Sequence, residues 1–141
     1  MSARAPQTAL GFDYGEKRIG VAVGQTVTRT ASPLTTLPAK HGQPDWVVLG
    51  RLIAEWQPDC LVLGMPATAD GQPHPMAEPI ARFGRRLTGR YNKEVLFIDE
   101  RLSSYAAEDL ARRSGRGLDA HAAQQILETW LNEQPPARSP L

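Results

Sequence analysis

The chain reads as an α/β protein: a mixed five-stranded sheet, strand order 3-2-1-4-5, with helices on both faces. Three observations predict it. Residues 8–37 hold three strand-like runs separated by turn signals, the pattern of a meander. Two later runs, Leu61-Val62-Leu63-Gly64 and Val95-Leu96-Phe97-Ile98, are short and wholly apolar, as parallel strands covered on both faces are. Helical stripes separate and follow them, an alternation that closes into right-handed α/β crossovers.

Each element has its own justification. Residues 1–7 read as a loose tail. The first strand spans 8–13 and ends in Asp13; Gly15 allows a tight turn, and a second strand over 18–26 returns at once. The run 32–37 contains Pro33, which a strand tolerates only at an edge or at its start. From Pro44 to Gln57, Trp46, Leu49, Ile53 and Trp56 recur at helical spacing, and Pro58 stops the helix. Residues 65–75, with Asp70-Gly71 and three prolines, form a loop. Ile80, Phe83 and Leu87 mark a second helix, and 95–98 the fifth, buried strand. Ser103 or Ser104 can cap a helix over 104–113. Gly115 and Gly117 break the chain before a final helix over 119–133, and 134–141 reads as a disordered tail. Residues 8–133 thus make one domain.

Composition narrows the class. With 141 residues, 41% of them apolar and 22% charged, the chain can bury a core. No apolar run approaches the ~20 residues that span a bilayer. No leader pattern opens the chain, and the single Cys60, in an apolar run, reads as a buried structural thiol. Both point to the cytoplasm. The overall charge of +1 says nothing about partners, but residues 82–116 carry nine basic against five acidic side chains, a local +4. A solvated helix surface explains this; so does a phosphate-binding face, with Arg85 and Arg86 among its members.

The chemistry lies at strand ends. Open α/β sheets bind ligands beyond the carboxyl ends of their parallel strands. Asp13, Gly64 to Pro66 and Asp99-Glu100-Arg101 all fall there. A carboxylate at the tip of a buried strand is costly unless a cation or hydrogen bonds compensate it. Asp119 shares a stripe with Ala123, Ile126, Leu127 and Trp130, so it continues the buried face of the last helix. As an isolated residue it reads as a helix N-cap; with Asp13 and Glu100 in the same crevice it reads as a metal-binding carboxylate. Carboxylates without Cys or His partners suit Mg²⁺ or Mn²⁺. Lys17, Arg18, Arg101 and Ser103 are placed to meet phosphate. His41, His74 and His121 have no metal spacing; His121, one turn from the site, could carry a proton. Walker A, G-x-S-x-G and H-E-x-x-H motifs are absent.

Four blocks in order resemble the YqgF/RuvX family: Asp13-Tyr14-Gly15 with Lys17-Arg18-Ile19-Gly20-Val21-Ala22; Val62-Leu63-Gly64-Met65-Pro66; Asp99-Glu100-Arg101-Leu102-Ser103-Ser104; and Leu118-Asp119-Ala120-His121-Ala122-Ala123. The resemblance covers about residues 8–131. It implies a ribonuclease H-like fold and metal-dependent cleavage of nucleic acid, either precursor 16S rRNA in ribosome biogenesis or a Holliday junction. Carried over by motif, the acidic residues are Asp13, Glu100 and Asp119, and Asp70-Gly71 matches the family's Asp-Gly loop. The strand order sets one difficulty: two strand spacings, about 10 Å, separate strands one and five, so Glu100 must lean inward to share a metal with Asp13. Two other readings stay open. One is a non-catalytic nucleic-acid or ribosome-assembly protein on the same fold. The other is a phosphotransferase of the sugar-kinase or actin type, which needs two such domains to enclose ATP. Monomer and homodimer are equally compatible.

Overall fold

The computed structural model describes residues 7–66, 74–99 and 118–133, with the backbone alone at 118 and 119. The elements run β1 (Thr8–Asp13), β2 (Arg18–Gln25), β3 (Thr30–Lys40), β4 (Gln43–Pro44), α1 (Trp46–Trp56), β5 (Cys60–Met65), α2 (Ala77–Tyr91), β6 (Glu94–Asp99) and α3 (Leu118–Asn132). The sheet order is β4-β3-β2-β1-β5-β6. β1 is antiparallel to β2 and parallel to β5, and β5 is parallel to β6. The expected five-strand order is therefore present, with a sixth, two-residue strand added at one edge.

That addition corrects the start of the first helix. Pro44 was expected inside it, but Gln43 and Pro44 pair with Lys40 and Ala39 instead. The helix begins after Asp45, whose side-chain oxygen accepts from the Val47 and Val48 backbone N–H groups at 3.0 and 3.4 Å. Asp45 is the better start because it satisfies donors that a helix start leaves orphaned. At the far end Gln57 turns left-handed, with φ 46°, directly before Pro58. β3 is longer than expected. A bulge between Val21 and Ala22 of β2 leaves Leu34 unpaired, and Pro33 lies on the length of β3 that β4 does not cover.

Alternation along the strands builds two cores. Leu10, Phe12, Ile19, Val21, Leu61 and Leu63 point to one face, where Leu49 and Ile53 of α1 and Ile80, Phe83 and Leu87 of α2 cover them. Ala9, Ala22, Cys60, Val62 and Ile98 point to the other, under Ala123, Ile126, Leu127, Trp130 and Leu131 of α3. Cys60 is buried there, as its apolar context implied. Each fully buried Leu or Phe contributes roughly 1.5–3 kcal/mol.

The fifth strand of the sequence reading, β6, is not buried along its length. Ile98 is, but Phe97 is 46% exposed. β6 lies at the sheet edge, and α2 presents Gly84 to it, so too little covers the ring. Ala81, Gly84, Arg85, Thr88, Val95 and Phe97 line an open groove of about 340 Å³ at this edge. The expected helix over 104–113 and the Asp70-Gly71 loop lie outside the described residues. No described helix is long and apolar enough to cross a membrane.

Candidate active site at the carboxyl end of the first strand

β1 sets the direction of Asp13. Leu10 and Phe12 face α1 and α2, so Ala9, Gly11 and Asp13 face α3. Asp13 pairs with Gly20 of β2, and the next step of the β1–β5 register brings Gly64 beside it. On the α3 side of the sheet, Asp13 is thus flanked on both neighbouring strands by residues without side chains. The result is a shelf between two glycines that carries, among the described residues, the half-buried carboxylate of Asp13. The sequence already placed Gly64 at this edge of the sheet; Gly20, a small residue near the start of an apolar run, was not singled out there.

α3 closes over this shelf. A Cβ built on Gly11 would meet Leu127 Cβ at 2.9 Å and the Ala123 carbonyl oxygen at 3.1 Å. One built on Gly24, which pairs with Ala9, would meet Leu127 Cδ2 and Leu131 Cδ1, each at 3.0 Å. The helix therefore runs against the direction of β1, its start towards the Asp13 end. Gln124 donates from Nε2 to the Ala31 carbonyl of β3 at 3.0 Å and sets its rotation. From Gly11 to Asp13 is two strand residues, about 6.6 Å. From Ala123 back to Asp119 is four helix residues, about 6 Å. The first turn of α3 thus lies level with Asp13. The helix as described spans Leu118–Asn132, which puts the Asp119 backbone in that first turn.

Of the acids at the other strand ends, Asp99 stands apart. Asp99 ends β6 opposite Met65, and alternation from Ile98 turns it towards the α2 face, away from Asp13. β5 separates β6 from β1, as the sequence order required. Glu100, Arg101 and Ser103 lie outside the described residues, as does the side chain of Asp119. Among the described residues no three His, Cys, Asp or Glu side chains gather to hold a metal.

Residues 7–133 match the family described as RuvX: Holliday junction resolvase. The chain belongs to the RuvX family. Curated relatives agree. A Pseudomonas aeruginosa (strain PAO1) protein is 53% identical over 133 residues, covering 89% of this chain and 92% of its own. One from Dechloromonas aromatica is 50% identical over 131 residues, covering 88% and 90%. Both are named "Putative pre-16S rRNA nuclease". Among solved structures, T. thermophilus RuvC in complex with a Holliday junction substrate aligns with TM-score 0.55 at 12% identity, covering 88% of this RuvX chain and 92% of its own. The fowlpox virus Holliday junction resolvase aligns with TM-score 0.54 at 16% identity, covering 89% and 97%. At such identities the likeness is one of fold, and it bears out the ribonuclease H-like architecture.

The basic candidates of this RuvX chain fall in different places. Lys17 and Arg18 are exposed at the β1–β2 turn, with Arg18 at the start of β2. Arg85 and Arg86 are adjacent in sequence but face different ways. Arg85 lines the β6 groove and meets Glu78 at 3.4 Å, an exposed pair worth little. Arg86, with Arg82, lies close enough to Tyr14 for its charge to be felt there. The Tyr14 hydroxyl donates to the Gly42 carbonyl at 2.9 Å, and its ring packs on Phe83 at 4.8 Å. Burial first, then the Glu16 charge, raises the Tyr14 pKa, and the two arginines only partly oppose them. His121 is exposed on α3.

Proposed function

We propose that this RuvX chain is a metal-dependent nuclease that hydrolyses phosphodiester bonds in structured nucleic acid, with precursor 16S rRNA as its substrate. The observation that carries the reading is the shelf. One carboxylate, Asp13, stands between Gly20 and Gly64 with the first turn of α3 level with it, in a chain about half identical to proteins named for that activity. The donor set fits a hard cation, since Asp13, Glu100 and Asp119 offer oxygen alone. When bound, Mg²⁺ or Mn²⁺ supplies Lewis-acid polarisation of the phosphoryl oxygen and an acidified water.

The residues of the chain do the rest. Asp13 is held by a strand hydrogen-bonded on both sides, so its carboxylate is positioned before substrate arrives. The two glycines leave room for a phosphate to approach the sheet closely. Lys17, Arg18 and Arg101 offset phosphate charge, and Ser103 donates a hydrogen bond.

The test is cleavage of precursor rRNA and of four-way junction DNA, each with and without Mn²⁺, by wild type and Asp13→Asn. Metal-dependent cleavage of the RNA, lost in the variant, is expected. Binding without cleavage would favour the assembly-factor reading; cleavage of the junction alone would move the substrate to DNA.

A further inference from the structure

Arg82, Arg86 and Arg90 recur every four residues along α2, and all three are exposed. Residues at this spacing share one helix face. Phe83 and Leu87 point inward, and Ala81, Gly84 and Thr88 turn towards β6, so the three arginines face the other flank, towards the β1–β2 turn and α1. One contact and one charge effect anchor that assignment. The Arg90 Cζ sits 4.3 Å from the Trp46 ring centroid, which presets the guanidinium by a cation–π contact. Trp46 is itself fixed, since Tyr91 donates to its carbonyl at 2.8 Å and its ring packs 5.9 Å from Phe83. At the other end, Arg82 and Arg86 lie near enough to Tyr14, the residue after Asp13, for their charge to reach its phenol.

Resting on the nuclease reading, we propose that Arg82, Arg86 and Arg90 form a track for the phosphates of one nucleic-acid strand, leading from the Asp13 edge across the β1–β2 turn at Lys17. The stripe is about 12 Å long, with steps of about 6 Å. Such steps match the spread of successive phosphates in an extended strand. The track lies on the α1/α2 side of the sheet, opposite α3, so the strand turns over the sheet edge at the scissile position. Arg85 takes no part, since it faces the β6 groove. Recognition is by charge along the backbone and carries no base preference.

The test measures binding of a short labelled single-stranded RNA over a salt series. The variants are Arg82→Ala with Arg86→Ala, the same pair with Arg90→Ala, and a charge-control pair, Arg51→Ala with Lys93→Ala. For single strands each phosphate contact contributes about 0.7 to the log–log salt slope, so the triple variant should flatten it by about 2 and the double by about 1.4. Affinity at low salt should fall roughly tenfold or more in the triple variant, with KM raised and kcat kept. The control pair should change the slope by far less. The double variant leaves the Trp46 stack intact, so a lost fold cannot account for its effect. A wild type that binds no RNA at low salt would overturn the nuclease reading and the track together. A wild type that binds with a steep slope, unchanged in the arginine variants or changed equally in the control, would overturn the track alone.

Discussion

Gly11→Ala places one methyl where α3 crosses β1, and the structure sets its cost. The new Cβ would lie 2.9 Å from Leu127 Cβ and 3.1 Å from the Ala123 carbonyl oxygen. Neither atom is the far end of a flexible side chain, so relief requires α3 to lift from the sheet. Overpacking of this kind costs about 1–3 kcal/mol, offset by about 0.4–1 kcal/mol from the lower chain entropy of unfolded alanine. The net is a loss of about 1–2 kcal/mol. Gly84→Ala is the matched comparison. Its Cβ would also meet an atom at 2.9 Å, but that atom is Cζ of Phe97, the tip of a ring 46% exposed and free to swing. Alanine in a helix interior gains about 1 kcal/mol over glycine, so Gly84→Ala should be neutral or stabilising. Urea unfolding followed by tryptophan fluorescence reads both as midpoint shifts at constant m. Gly11→Ala should also lose cleavage out of proportion to stability, because lifting α3 carries its first turn away from Asp13. A Gly11→Ala protein as stable as wild type, or equal to Gly84→Ala, would refute the close α3–β1 packing on which the site geometry depends.

Three further outcomes are expected. Mg²⁺ or Mn²⁺ should raise the thermal midpoint by binding the native state, and Asp13→Asn should remove most of that gain; equal shifts in both proteins would place the metal elsewhere. Asp45→Ala should cost about 1 kcal/mol in urea unfolding, since it orphans the Val47 and Val48 N–H groups, while Asp45→Ser should recover most of it. Burial raises the Tyr14 and Tyr91 phenols above 10.0, so folding favours their neutral forms. The stability this provides is complete below pH 10 and is lost as pH rises through the higher folded values. Thermal melts across that range should show the fall, and Tyr14→Phe should reduce it.

Much of this architecture is legible without coordinates because it rests on local period. The alternation through 8–25 and the apolar runs at 61–64 and 95–98 define strands, and their order follows from short connections and right-handed crossovers. The α3 stripe of Ala123, Ile126, Leu127 and Trp130 is found buried as its spacing required. Asp13 stands out because a carboxylate ending an apolar strand needs a reason. What local pattern could not decide depends on cross-strand register and helix rotation. Pro44 reads as a helix start until Lys40 is seen to pair with Gln43. Phe97 reads as core until Gly84 is found above an edge strand. Gly20 and Gly64 become the walls of a shelf only when β1 lies between their strands. Arg85 and Arg86 are equivalent in sequence, but a rotation of 100° per residue sends one to the β6 groove and the other to the Tyr14 edge. The sequence by itself determined five of the strands, the three described helices, their order and the acid at the end of β1, because neighbours along the chain set those. Only the tertiary structure decided which glycines flank that acid, how closely α3 packs on β1 and which arginines reach the Tyr14 side of the sheet, because those are contacts between residues distant in sequence.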